Sequence, residues 1–154
     1  MDGFQKLELV LLLVLLVLVL GILGFGGITG FFVEDKNPAP SDFISEKDII
    51  ADNDSITFFI DNPVLSRYEN SESMAPFLGK GATGVGFKPK SSEDIRVGDV
   101  VSFWQDGNLI VHRVIEKGID EQEVYFITKG DGNYINDGKI RFEEIDSVLV
   151  AVIY

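Results

Sequence analysis

Val100-Val101-Ser102-Phe103-Trp104-Gln105-Asp106-Gly107-Asn108-Leu109-Ile110-Val111-His112-Arg113-Val114 holds two apolar, β-branched runs around an Asp-Gly pair. Gly tolerates the positive φ that tight hairpin turns require, so the stretch predicts two antiparallel strands. It puts the chain's single histidine, His112, on a strand. Side chains alternate along a strand, so His112 shares a face with Ile110 and Val114 while Val111 and Arg113 point the other way.

Outward from this hairpin the apolar residues continue in short runs: Ile56 to Ile60, Gly84 to Phe87, Glu123 to Thr128 and Ser147 to Ile153. Turn residues separate them at Lys117-Gly118 and at Gly130-Asp131-Gly132-Asn133. The pattern predicts a mainly β, antiparallel domain over 55–154. Residues 34–54 carry Pro38, Pro40 and several acids and read as an acidic tether, with a short helical turn at Ser45 to Ala51.

Between Glu8 and Glu34 no residue is charged. Residues 9–33 as a helix would extend roughly 37 Å, enough to cross a hydrocarbon core of about 30 Å. A cleaved signal peptide has a shorter apolar core and a basic start, whereas only Lys6 precedes this run. The expectation is one uncleaved transmembrane helix after a short segment 1–8. Lys6 and the amino terminus, against Lys36 among acids, favour a cytoplasmic N-terminus.

The formal charge of -12 argues against nucleic acid, which needs Lys and Arg gathered on one face. The absence of cysteine excludes disulfides, thiol nucleophiles and thiolate-bound metal. No metal cluster or cofactor motif is evident, so none is expected. Serine is a weak nucleophile without a base, and neutral imidazole is the usual one. His112 is the imidazole this chain has. Ser73 lies in Ser71-Glu72-Ser73-Met74-Ala75-Pro76, where Pro76 prevents a regular helix from running through. Taken singly, Ser73, His112, Asp131 and Asp137 each read more readily as loop, strand or turn residues.

In order, they resemble a known family. Ser73-Met74-Ala75-Pro76, Val97-Gly98-Asp99-Val100-Val101, Ile110-Val111-His112-Arg113-Val114 and Thr128-Lys129-Gly130-Asp131-Gly132-Asn133 followed by Asp137 are similar to the boxes of signal peptidases of the archaeal and endoplasmic-reticulum type. The resemblance covers most of Ser71 to Tyr154. The bacterial branch carries a lysine base where this chain has His112. The resemblance implies a signal-peptidase-like antiparallel β domain behind one transmembrane helix. It makes Ser73 the nucleophile, His112 the general base, Asp137 the acid that orients the imidazole and Asp131 a supporting residue. The Ser73 N–H and the Ser71 hydroxyl would donate to the oxyanion. Departures are the long stretch between the membrane exit and Ser73, an extra strand at Ile56 to Ile60, an altered strand at Gly84 to Lys90, and Gly132 where the family usually has asparagine.

The function so implied is removal of N-terminal signal peptides from exported preproteins by a single-pass enzyme with its peptidase domain outside the cell membrane. Its partners would be the preproteins and the lipid bilayer, with the protein-export machinery a further candidate. A histidine base predicts a rate that rises with pH somewhere between about pH 5 and 8. Two rivals remain open at this point: a noncatalytic membrane-anchored β module acting as an assembly partner, and a self-cleaving regulator. The second would need a lysine base and a basic DNA-binding segment, and neither is apparent.

Overall fold

The computed structural model describes residues 37–69 and 72–154, together with Gln5, Leu12 and Val14, which are helical. The chain divides into two units, 1–36 and 37–154. The expected membrane span at 9–33 lies, apart from Leu12 and Val14, outside the described residues. Among the described residues no helix is long and apolar enough to cross a membrane.

The second unit is antiparallel β. Strands β1 (Ile49–Ala51) and β2 (Ile56–Phe58) form a small two-stranded sheet. The main sheet holds β3 (Pro63–Arg67), β4 (Thr83–Phe87), β5 (Val100–Gln105), β6 (Asn108–Ile119), β7 (Val124–Lys129), β8 (Lys139–Arg141) and β9 (Ile145–Ile153), in the order β3-β4-β9-β5-β6-β7-β8. The Asp106-Gly107 hairpin is as expected. Both central residues have positive φ, 51° and 78°, the type I′ geometry that matches strand twist. It sets the register Val101↔His112 and Phe103↔Ile110.

Alternation along β5 and β6 feeds two cores. Val101, Phe103 and Val114 bury themselves with Ile95, Phe126, Ile140 and Val148, and Ile110 packs against them. On the opposite face Val100, Leu149, Met74 and Leu78 cluster, with Val111 against them. β6 thus has both its faces committed to apolar packing, and His112, next along from Val111, is almost fully buried.

Three readings of the sequence are corrected. Lys117-Gly118 is not a turn: β6 runs through it to Ile119, because Gly118 lies opposite Tyr125 and a Cβ there would stand 2.5 Å from the Tyr125 ring. The glycine makes room for an aromatic neighbour, and the chain reverses over Asp120 to Glu123 instead. Residues 45–51 hold a 3-10 turn only at Glu46–Asp48 and then enter β1. The segment read as a tether also packs onto the sheet from Asn37 onward. Phe43 meets Phe87 edge-on at 5.1 Å, and the Ser41 N–H donates to Asp99 Oδ1 at 2.6 Å.

The turn after β6 is fastened to β8. Asp120 accepts from Arg141 Nη2 at 2.9 Å and Nη1 at 3.1 Å, and from Lys139 Nζ at 2.8 Å. The Arg141 guanidinium first, then Lys139, holds the Asp120 carboxyl far below the usual carboxylate range. A carboxyl depressed in the folded state contributes stability above its unfolded value, near 3.9, and loses it as pH falls toward the folded one. Asp120→Asn is therefore expected to melt below wild type at neutral pH, with the gap closing in acid. Melting curves of both proteins over a pH series check this; a gap that widens in acid would contradict it.

Candidate active site

The four sequence boxes meet at one end of the main sheet, around the point where β7 joins β6. β7 pairs with β6 only from Arg113↔Lys129 onward, whereas β5 pairs along Asn108 to Arg113. Asn108 to His112 are thus laddered on the β5 side alone. Around this one-sided stretch lies a cleft of about 540 Å³ lined by Ser73, Met74, Leu78, Ile110, Val111 and His112 on one side. Ser66 to Glu69, at the end of edge strand β3, line the other.

His112 Nδ1 lies 2.7 Å from Asp137 Oδ2. A carboxylate only accepts, so Nδ1 carries a proton, and in the neutral imidazole Nε2 is then the nitrogen with the free lone pair. Asp137 comes from the loop between β7 and β8, and three contacts hold it. Its N–H donates to the Thr128 carbonyl at 2.9 Å, its carbonyl accepts from Gln105 Nε2 at 3.2 Å, and the Thr128 hydroxyl donates to Oδ2 at 2.8 Å. Thr128 is fully buried. Its hydroxyl stabilises the carboxylate charge on the same oxygen that faces the imidazole.

Ser73 sits in the 3-10 turn Glu72–Met74, whose Met74 is buried in the second core. The Gly130-Asp131-Gly132 turn docks against it. The Gly132 N–H donates to the Ser73 carbonyl at 2.8 Å, and a Cβ on Gly130 would stand 2.5 Å from that oxygen. At Gly132 a Cβ would stand 2.7 Å from the Glu72 carbonyl. This contact leaves no room for the asparagine expected from the family pattern. Gly132→Ala is expected to push the Ser73 turn off its seat and to cut any turnover at the Ser73 hydroxyl by about 10²-fold, the scale of a 1 Å misplacement. Comparing kcat/KM with the melting temperature of the variant tests this, since a purely structural glycine would lower stability without such a loss in the folded fraction.

Asp131 does not approach the imidazole as a partner. Arg113 Nε donates to Asp131 Oδ1 at 2.9 Å and Nη2 to Oδ2 at 2.7 Å, a bidentate pair with both side chains buried. Arg113 Nη1 donates to the Gly98 carbonyl at 2.8 Å, and the guanidinium stands 5.3 Å from the Phe77 ring centre. Gly98 adopts φ 105°, and a Cβ there would collide with the Ala39 carbonyl. Next to it, buried Asp99 accepts from the N–H groups of Arg96 and Ser41. The Val97-Gly98-Asp99 box is thus a brace under β6.

No family model, curated protein or solved structure matches this chain significantly. The site therefore stands on its geometry. Of the residues marked in the sequence, the fold brings His112 to Asp137, sets Ser73 and His112 in one cleft, and assigns Asp131 to Arg113. Ser71 lies outside the described residues. Thr128 and Gln105 were not marked. Thr128 heads the box that ends in Asn133, but its threonine looks like any β-strand residue, and its role follows only from where Asp137 folds back.

Proposed function

We propose that this chain is a membrane-anchored serine endopeptidase that removes N-terminal signal peptides from exported preproteins. The observation that carries the reading is the 2.7 Å contact between His112 Nδ1 and Asp137 Oδ2 in the cleft that Ser73 also lines. With Nδ1 engaged, Nε2 is the basic nitrogen. It accepts the Ser73 proton as the hydroxyl attacks the scissile carbonyl and returns it to the leaving amine. Asp137 keeps the tautomer and stabilises the imidazolium, and Thr128 holds Asp137. Water then repeats the sequence on the acyl-enzyme and frees Ser73.

The substrate fits as an extended segment. A cleft bordered by the outer edge of β3 and the one-sided stretch Asn108 to His112 offers backbone donors and acceptors to a strand laid between them. Met74, Leu78 and Val111 give it an apolar lining suited to small residues such as alanine beside the cut. The apolar segment 9–33 supports anchoring. A signal peptide's own apolar core stays in lipid, so an anchored enzyme meets the emerging cleavage site at high effective concentration.

The test is incubation of the full-length protein in detergent with a signal-bearing precursor, reading the cut by mass spectrometry, beside labelling with a serine-directed probe. Cleavage after a small residue and labelling at Ser73 are expected. A folded protein that does neither would overturn the reading and leave a noncatalytic assembly module.

A further inference from the structure

Beside the cleft around Ser73 and His112 lies a second groove, of about 660 Å³, and Arg67, Tyr68 and Glu69 line both. Lys80 and Gly81 complete the second groove. Arg67 ends β3, and the Lys80-Gly81 turn is stitched beside it: the Gly81 N–H donates to the Tyr68 carbonyl at 3.2 Å. Arg67 Nη2 lies 3.9 Å from where a Cβ on Gly81 would stand, so the guanidinium rests over the turn that carries Lys80. Half-buried Tyr68 forms the wall between the two spaces, its ring so close over Gly84 that a Cβ there would collide with it.

Arg67 and Lys80 are exposed and form no ion pair or hydrogen bond among the described residues. Six other described cations, Lys88, Lys90, Arg113, Lys117, Lys139 and Arg141, each lie within 4.0 Å of a carboxylate, whereas exposed Lys47 and Arg96 line neither groove. In a chain of net charge -12, the groove brings two uncommitted cations together. Glu69, also exposed, shares the groove, which leaves it one positive charge in excess.

We infer that this groove is a subsite for an acidic side chain of the substrate, set a few residues from the scissile bond. The inference rests on the serine-endopeptidase reading and gives it a sequence preference. A peptide laid along the outer edge of β3 runs from the Ser73 cleft past Arg67 to Lys80. A carboxylate on it accepts from the Arg67 guanidinium, with Lys80 as a second donor. The groups are exposed, so the attraction discriminates between substrates more than it tightens binding, and salt weakens it.

The experiment compares a neutral signal-cleavage peptide with versions carrying one aspartate at successive positions on either side of the cut. Wild type, Arg67→Gln and Lys80→Glu are assayed at low salt and at about 0.5 M salt. Aspartate at one position is expected to raise wild-type kcat/KM about fivefold at low salt, the upper range for an exposed pair. The aspartate-to-neutral ratio falls to one in Arg67→Gln, and in Lys80→Glu a lysine at that position becomes preferred. Cleavage of the neutral peptide with no aspartate preference, or a preference that survives in both variants, overturns the subsite and leaves the peptidase standing. Failure to cut any peptide overturns both.

Discussion

Alanine at His112 is expected to leave a folded protein that cleaves a signal-bearing precursor at least about 10⁴-fold more slowly than wild type. The side chain fills little of the apolar core. It is buried against the cleft, with its ring 6.3 Å from that of Phe103, so its loss removes a base more than a packing element. Asp137→Asn is the sharper variant. An asparagine amide fits the same loop and still bonds to His112, but it can donate to Nδ1 and so move the ring proton to Nε2. The base is then blocked without being removed, and kcat should fall by about 10⁴-fold with KM little changed. Steady-state kinetics over a pH series, with melting curves to certify the fold, decide the matter. Wild-type rates in Asp137→Asn would remove the dyad from the mechanism.

The second large effect concerns stability. Arg113 and Asp131 are buried and meet by two hydrogen bonds, and Arg113 also reaches the Gly98 carbonyl. Removing one partner strands a charge in a dry setting. Asp131→Ala is therefore expected to cost about 3–5 kcal/mol. For a domain of this size that lowers Tm by more than roughly 10 °C. Replacing both, as Arg113→Met with Asp131→Leu, should recover much of the loss, because no unpaired charge remains. Denaturant titrations of the two single variants and the double give the coupling directly. Equal losses in the double and the sum of the singles would mean that the pair does not act as one unit. Because Asp131 faces Arg113, the activity of Asp131→Ala should track its folded fraction, unlike that of Asp137→Asn.

The hairpin was legible because Asp106-Gly107 states its turn chemistry in two residues, and alternation then assigned Val111 and Ile110 to opposite cores. Strand β3 was not, since Pro63 opens it and its edge position leaves Leu65 exposed, so no buried face marks the sequence. β8 is three residues long, too short for any period. Gly118 carried a turn signal whose real cause, the ring of Tyr125, lies on another strand. The pairing of His112 with Asp137 spans twenty-five residues of sequence and came only from the family resemblance. The boxes themselves conceal two different jobs. Ser73 and His112 line the cleft with Asp137 bonded to the imidazole, while Gly98, Asp99, Arg113 and Asp131 brace the strand that carries His112.

His112 and Arg113 are neighbours on β6 with opposite outlooks, one toward the cleft and one into the brace. Strand period makes that arrangement all-or-none: a slip of one residue would put the guanidinium at the cleft and the imidazole into the Asp131 socket. The I′ turn at Asp106-Gly107 forbids the slip. The same socket, with its two parallel bonds to Asp131, is shaped for a guanidinium and not for an imidazole. The His112–Asp137 pair and the Arg113–Asp131 brace therefore form together, in the finished fold and not before it.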